Sequence, residues 1–370
     1  MNTNKDRKKI IYIAEFSLPN MSAYAVHVLK MCDNFPNDFN IELIIPFCSP
    51  FYNIKKIKND YSLKNNFVIK SLFGSKIKLN LFYRLIFSFK ILFYLRDKNY
   101  KLIISRSIIP SMILGLFNYK NILEIHTELT GITKRIFRLI DLNLISKNLK
   151  FVVLNSKLIK ILKINKKKTI ILGDAVESKD FKRTNKKNLI HACAYSGSFA
   201  KGKGIDTIYS LAKMLPKIKF HVFGNIRTLD FKFIENKKPK NLIFKGFISY
   251  NKVTKTLPNY KVLLMPYQKK VGVLIKGIDV SNYFSPLKLF EYMASGRIIL
   301  ASKLKVYNNI LKHNHNSILL NPINLNAWTK KINEVLKTNN FNFLGKNAKK
   351  KVKIFSWKKR VDKIIDFYEK

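Results

Sequence analysis

Acidic residues are scarce in this chain. Only 22 Asp and Glu stand against 70 Lys and Arg in 370 residues, a formal charge of +48. A dedicated nucleic-acid binder gathers its basic residues on one stripe, but these lysines are spread over the whole length beside abundant Asn and Ile. The charge therefore reads mainly as composition, and no nucleic-acid partner is expected. What it still implies is attraction to phosphates and anionic lipid. Cysteine is almost missing too: Cys32, Cys48 and Cys193 have no paired spacing, which argues against a zinc site or a disulfide framework and fits a reducing compartment. No apolar run approaches membrane-spanning length without a charge. The first run stops at Ala14 before Glu15, too short for a signal-peptide core. No Asp-x-Asp pair occurs, so the acidic pair that often holds magnesium or manganese on a diphosphate is absent. The expectation is a cytoplasmic protein, free or peripheral on the inner face of the membrane, with neither metal nor cofactor.

Apolar residues, in contrast, are plentiful at 47%, with 13% aromatic, enough for about two cores at this length. Short β-rich runs alternate with helical stretches: Lys9 to Ala14, Ile41 to Pro46, Lys101 to Ser105, Asn121 to Ile125 and Phe151 to Asn155 in the first half. The second half repeats the scheme through "LIHACAYSG", "KFHVFG", "NLIFKG", "KVLLMPY", "RIILAS" and "SILLNP". Apolar strands alternating with helices predict parallel sheets covered on both faces, here two doubly wound α/β domains. The charged stretch Lys163 to Asn188 separates them, and the end reads as a helix from Trp357. One segment stands apart, Leu79 to Leu95, apolar over a wide helical face. Phe87 and Ile91 fall in line with Asn80, Arg84 and Ser88, which places two apolar side chains on the polar face. Such a helix suits an anionic bilayer, or it is a domain helix with imperfect amphipathicity.

Two stretches carry chemistry. In "AYSGSFAKGKGID", Ala194 to Asp206, a strand enters a glycine-bearing loop and then a helix near Ile205. That arrangement lets backbone amides and a helix N-terminus meet phosphate. Gly197, Gly202 and Lys203 fit most of the Walker A spacing, but Gly204 stands where a Ser or Thr hydroxyl would hold magnesium, against an NTPase. In "SPLKLFEYMASG", Ser285 suits an N-cap, Pro286 the first helical position and Gly296 the stop. The predicted helix leaves N–H groups at Leu287, Lys288 and Leu289 for an anion. Glu291 follows Leu287 by one turn, and its carboxylate either grips paired hydroxyls such as those of a ribose or is held inside by Arg297 or Lys288.

Taken in order, G-S-F-x3-K-G-I-D, F-x-G, a strand ending "MPY" and S-P-L-K-x-F-E-Y-M-A-S-G resemble the nucleotide-sugar half of retaining GT-B glycosyltransferases, glycosyltransferase family 4. The likeness extends back to "IISRS" (Ile103 to Ser107) and "LEIH" (Leu123 to His126), and forward to "FSWKKR", similar to a closing helix that crosses back to the first domain. It implies an N-terminal Rossmann-like acceptor domain over 1–170, a linker over 171–188, a nucleotide-sugar domain over 189–354 and a returning helix over 355–370. It implies a hexosyl transferase that takes a UDP- or GDP-sugar, without metal, and passes the sugar with retained configuration to a glycan or lipid-linked acceptor in cell-surface polysaccharide or glycolipid synthesis. Residue by residue, Lys203 would meet the diphosphate and Glu291 the ribose. The amides after Ser285, at Leu287 and Lys288, would face phosphate and sugar, and His126 the sugar near the reacting carbon. Gly197, Ser198 and Lys201 would complete the donor loop, and Asn20, Met21 and Ser22 the acceptor or phosphate loop. The chain departs from the family at Ser198, where many members carry arginine and where Lys201 is the substitute cation. It departs again at Tyr283, where many carry a first glutamate. The alternative is a GT-B-fold protein without activity that binds anionic membrane or polyanions. His27, His191 and His221 read as structural, and His313 and His315 as loop residues lacking metal-ligating company.

Overall fold

The structure is a computed structural model that describes residues 8–139, 147–182, 189–225, 238–272 and 279–370. The basic N-terminal start and part of the expected linker, 183–188, lie outside the described residues. The chain divides into two compact units, Met1–Gly173 with Trp357–Lys370, and Asp174–Ser356.

The first unit holds a parallel sheet in the order β5-β3-β1-β6-β7-β8-β9. Its strands are β1 (Lys8–Ile13), β3 (Phe39–Ile45), β5 (Val68–Ser71), β6 (Leu102–Ser105), β7 (Asn121–Ile125), β8 (Leu149–Val153) and β9 (Thr169–Ile171). A short pair, β2 (Ser17–Leu18) with β4 (Phe47–Cys48), lies outside it. Helices α1 (Ala23–Asp33), α2 (Ile54–Tyr61), α3 (Leu81–Leu95), α4 (Ile108–Leu116), α5 (Gly131–Leu139) and α6 (Ser156–Leu162) connect the strands. The asparagine-rich composition supplies their caps. The side chains of Asn53, Asn80 and Asn155 accept the first free amides of α2, α3 and α6, satisfying donors that would otherwise go unpaired.

The second unit repeats the plan with the order β12-β11-β10-β13-β14-β15. Here β10 is Ile190–Ser196, β11 Lys219–Phe223, β12 Leu242–Gly246, β13 Tyr260–Met265, β14 Ile298–Ser302 and β15 Ile318–Leu320. Its helices are α7 (Ile205–Met214), α8 (Tyr250–Thr256), α9 (Leu287–Ser295), α10 (Leu325–Lys337) and α11 (Asn342–Val352). Leu211, Val262, Leu300, Trp328 and Val335 are fully enclosed in its core. The last helix, α12 (Trp357–Glu369), packs on α1 of the first unit. Both sheets are parallel throughout, and their central strands are buried along nearly their whole length, as expected for a sheet covered on both faces.

Helix α3 corrects the sequence reading. Phe87 and Ile91 are fully buried and join Leu95 against Ile11, Ile13, Ile44, Ile103 and Leu114. The polar residues in line with them do not mark a solvent face, because each finds a partner in the protein. Asn80 caps the helix, Arg84 lies 3.5 Å from the Glu15 carboxylate, and the Ser88 hydroxyl donates to Arg84 O at 2.7 Å. The exposed stripe lies elsewhere: Phe82, Phe89 and Phe93 are 65%, 46% and 74% exposed. Among the described residues no helix is long and apolar enough to cross a membrane.

Candidate functional site

In an open α/β sheet, ligands settle outside the carboxyl ends of the strands where the order reverses. In the second unit that point lies between β10 and β13, and the motif residues collect there. Strand β10 ends in Tyr195 and Ser196 before Gly197, and β13 leads to Pro266 and Tyr267. The Lys288 ammonium lies over the rings of both tyrosines, 3.4 Å from the centroid of Tyr195 and 5.1 Å from that of Tyr267. Lys288 is buried and its Nζ has no hydrogen-bond partner among the described residues. Burial pushes it well below the usual lysine range, the Lys203 charge pushes it further down, and Glu291 opposes both.

Lys203 donates to the Ser198 hydroxyl at 2.8 Å, so the serine at the arginine position is a partner of the loop lysine. Burial lowers Lys203 to about 8. Lys201 is exposed; its carbonyl accepts from Gly272 N–H at 2.9 Å. The three loop glycines serve different ends. A Cβ on Gly202 would lie 1.9 Å from Lys270 O, and one on Gly204 2.1 Å from Pro266 O. Both positions have positive φ, so these two exist to let the loop lie against the segment after β13. At Gly197 the nearest atoms are Cε and Nζ of Lys288, 2.7 Å from an added Cβ. That glycine is the one facing a cation.

Helix α9 begins one residue later than its sequence suggests. Pro286 is the capping residue, extended and without a side-chain cap. Ser285 turns away: its Oγ accepts the Asp174 N–H at 2.8 Å. The Leu289 amide is also used, donating to Pro286 O at 2.9 Å, which leaves Leu287 and Lys288 as the amides at the helix start. Gly296 ends the helix in the left-handed conformation as expected. Glu291 is buried, and burial raises its carboxyl to about 7, with Lys288 opposing and Asp174 adding to the rise. No ion pair to Glu291 is found among the described residues. Of the two cations expected to satisfy it internally, Arg297 gives its Nε to Pro258 O at 2.6 Å, and Lys288 makes no hydrogen bond to it. Tyr283 is buried.

In the first unit the order reverses between β1 and β6. Glu124 on β7 is fully enclosed; three side chains hydrogen-bond its carboxylate and His27 stands within ion-pair range. Oε2 accepts from the Tyr12 hydroxyl at 3.0 Å. Oε1 lies 2.5 Å from His126 Nε2, 2.6 Å from Arg360 Nη2 and 2.8 Å from His27 Nε2. Burial works to raise Glu124, but Arg360, His27 and His126 overcome it and hold it well below the carboxylate range. Burial and then Arg106 lower His126 to about 3, so its ring is neutral at physiological pH. The ligand atoms of His27, Glu124 and His126 lie within 4.8 Å of one another. Arg360, however, already places a cation on the shared oxygen, so the trio is arranged for hydrogen bonding. His27 also meets His126 and Trp357 edge to face, at 4.7 and 5.0 Å between ring centroids.

Sequence reasoning placed His126 but missed the hub around it. The Glu124-x-His126 spacing was the available signal; Tyr12, His27 and Arg360 gave none. Arg106 stacks over Tyr24, its guanidinium carbon 4.3 Å from the ring centroid. In the loop after β1, Asn20 Oδ1 accepts the Ser22 N–H at 2.9 Å, and Ser22 Oγ caps α1 through the Ala25 N–H. Met21 is half-buried. His221 pairs with the Tyr260 hydroxyl at 2.8 Å, and His313 accepts the Leu319 N–H at 3.0 Å.

Comparison with known proteins gives a consistent fold. Residues 176–351 match the family model Glycosyl transferases group 1. No curated protein matches the chain by sequence. A glycosyltransferase from Rickettsia africae ESF-5 is 13% identical with a TM-score of 0.71, each chain covered to 98%. TarM from S. aureus is 14% identical with a TM-score of 0.72, over 98% of this chain and 99% of TarM. Anabaena HepE in complex with UDP is 10% identical with a TM-score of 0.72, over 97% of this chain and 99% of HepE. At these identities the likeness is one of fold: two Rossmann-like, parallel-sheet domains of the GT-B architecture.

Proposed function

We propose that the chain is a retaining glycosyltransferase that moves a hexosyl group from a UDP- or GDP-sugar to a glycan or lipid-linked acceptor, without a metal, in polysaccharide or glycolipid synthesis. The observation that carries this is the buried Lys288 ammonium, unpartnered and set beside Lys203 at the switch point of the second sheet. A buried amine with no hydrogen-bond partner among the described residues is costly to hold as a cation. A diphosphate supplies that charge, met by two lysines and the amides of Leu287 and Lys288. One turn on, Glu291 accepts the ribose hydroxyls. The family match over 176–351 covers this region, and the UDP in the HepE complex supports a nucleotide diphosphate as the ligand.

In the reaction the bond from the anomeric carbon to the diphosphate oxygen breaks. The acceptor hydroxyl oxygen bonds to that carbon, and its proton passes to an oxygen of the departing diphosphate. Negative charge grows on the departing diphosphate, and pre-placed lysines stabilise it without reorganising. His126 meets the sugar, and Ser22 with its neighbours Asn20 and Met21 meets phosphate or acceptor.

Calorimetric titration with UDP and with GDP tests the reading. Binding of at least one, weakened by Lys203→Ala, is expected; binding of neither to the intact protein would overturn it. A lipid-linked acceptor is supported by the outer stripe of α3. Phe82, Phe89 and Phe93 stand exposed near the exposed Lys76, Lys78, Lys90 and Arg96, a combination suited to an anionic bilayer.

A further inference from the structure

The hub around Glu124 does more than fill space. A carboxylate held ionised has no proton to give, so every group bonded to it must bring its own. His126 therefore carries its ring hydrogen on Nε2, the atom 2.5 Å from Glu124 Oε1. Because the ring is neutral, Nδ1 is left with a lone pair. His126 is also partly exposed, whereas Glu124 is not. The permanent cation on the carboxylate is Arg360, 2.6 Å from the same oxygen and buried, and it belongs to α12, more than two hundred residues along the chain.

We propose that Arg360 is a positioning residue for His126, acting through Glu124: the guanidinium fixes the carboxylate, the carboxylate fixes the Nε2–H, and His126 presents Nδ1 as a hydrogen-bond acceptor. The groups facing this hub are Tyr12 from β1, His27 from α1, Arg106 after β6, and Arg360 and Trp357 from α12. Without Arg360 the carboxylate keeps its charge with only neutral donors around it, and an adjacent imidazole becomes the natural place for a proton. That a sugar hydroxyl is what meets Nδ1 rests on the transferase reading; the proton arrangement does not.

The test is long-range proton–nitrogen NMR on the full-length chain labelled with nitrogen-15 histidine, with His126 assigned through His126→Asn. The wild type should show a pyridine-like Nδ1 and a pyrrole-like Nε2 for His126, unchanged down to about pH 5. In Arg360→Met the protonation midpoint of His126 should move up by roughly one unit or more, and Arg360→Lys should restore the wild-type behaviour. A hydrogen on Nδ1 in the wild type would overturn the proposal, and so would an unchanged titration in folded Arg360→Met. If that variant does not fold, Arg360→Gln is titrated in its place, and an unchanged His126 midpoint there overturns the proposal equally. The pH profile of slow donor hydrolysis separates the two readings. Spectra as expected with no shift in that profile sustain the positioning of His126 and count against its contact with the donor.

Discussion

Replacing Lys288 by methionine should change stability and binding in opposite directions. The substitution keeps the unbranched stem and removes the ammonium. In the free protein that ammonium is buried with no hydrogen-bond partner among the described residues, and an unpaired buried ion costs several kcal/mol after relaxation. Its position 3.4 Å from the centroid of Tyr195 returns about 2 kcal/mol as a desolvated cation–π contact. The methionine sulfur recovers roughly 0.3–1.5 kcal/mol against the same ring. Lys288→Met should therefore stabilise the unliganded protein by roughly 1–3 kcal/mol, about 2–4 °C in Tm for each kcal/mol. The pH dependence follows from the sign of the shift. The folded lysine lies well below 10.5, so its penalty is complete below the folded value and fades as pH rises towards 10.5. The advantage of the variant should fade with it. Binding goes the other way. Losing a charge-assisted contact to the diphosphate costs about 2–3 kcal/mol, roughly 30- to 150-fold in Kd. Thermal scans with and without UDP or GDP, together with calorimetry, read both effects. A variant less stable at neutral pH without nucleotide, or one that binds the nucleotide undiminished, would refute the reasoning.

Glu291→Gln addresses the partner acid. The folded carboxyl, raised from 4.5 to about 7, holds its proton more tightly than the unfolded one. That stabilising contribution is full below 4.5 and drains as pH rises through about 7, a change of about 3 kcal/mol that should vanish from the stability profile of the variant. The wild type should also prefer UDP over its 2′,3′-dideoxy form by about tenfold, and calorimetry should find the preference gone in the variant. On α3, flotation with anionic vesicles should fail for the triple Phe82→Ser, Phe89→Ser, Phe93→Ser variant while its circular dichroism stays native. Phe87→Ala should instead cost about 3–5 kcal/mol in denaturant unfolding; flotation undiminished in the triple variant would remove the membrane face. At the loop, Gly202→Ala drives a Cβ to 1.9 Å from the Lys270 carbonyl and should destabilise by more than about 3 kcal/mol. Gly197→Ala puts a Cβ 2.7 Å from the end of Lys288 and onto a positive-φ backbone, so nucleotide affinity and Tm should both fall.

Much of the fold was legible because parallel strands buried on both faces announce themselves as apolar runs. Asn121–Ile125 was read with its true bounds, and the other long strands to within two residues. The short strands at Ser17–Leu18, Phe47–Cys48 and Val68–Ser71 were not read, since two to four residues offer no periodicity. The donor-site candidates were legible as motifs, and the structure gathers Gly197, Ser198, Lys203, Lys288 and Glu291 at one sheet switch point. What motifs could not give is which polar group finds a partner inside the fold. Ser285 was read as a cap and instead accepts the Asp174 amide. The polar line on α3 was read as solvent-facing, and it is anchored through Glu15 and the helix backbone. Both are tertiary outcomes that local sequence does not encode.

The same accounting of partners explains why a charge of +48 is a poor guide to the site and the buried ionisable groups are a good one. A solvated surface lysine costs little to place, so seventy basic residues can accumulate without chemical consequence. A buried ion must be answered. In the first unit the charge of Glu124 is answered within the chain, by Arg360, two imidazoles and a phenol. In the second unit the Lys288 ammonium has no hydrogen-bond partner and Glu291 no ion pair among the described residues, and burial shifts both from their ordinary ranges. On the proposed reading, what answers them is an anion with adjacent hydroxyls, a nucleoside diphosphate.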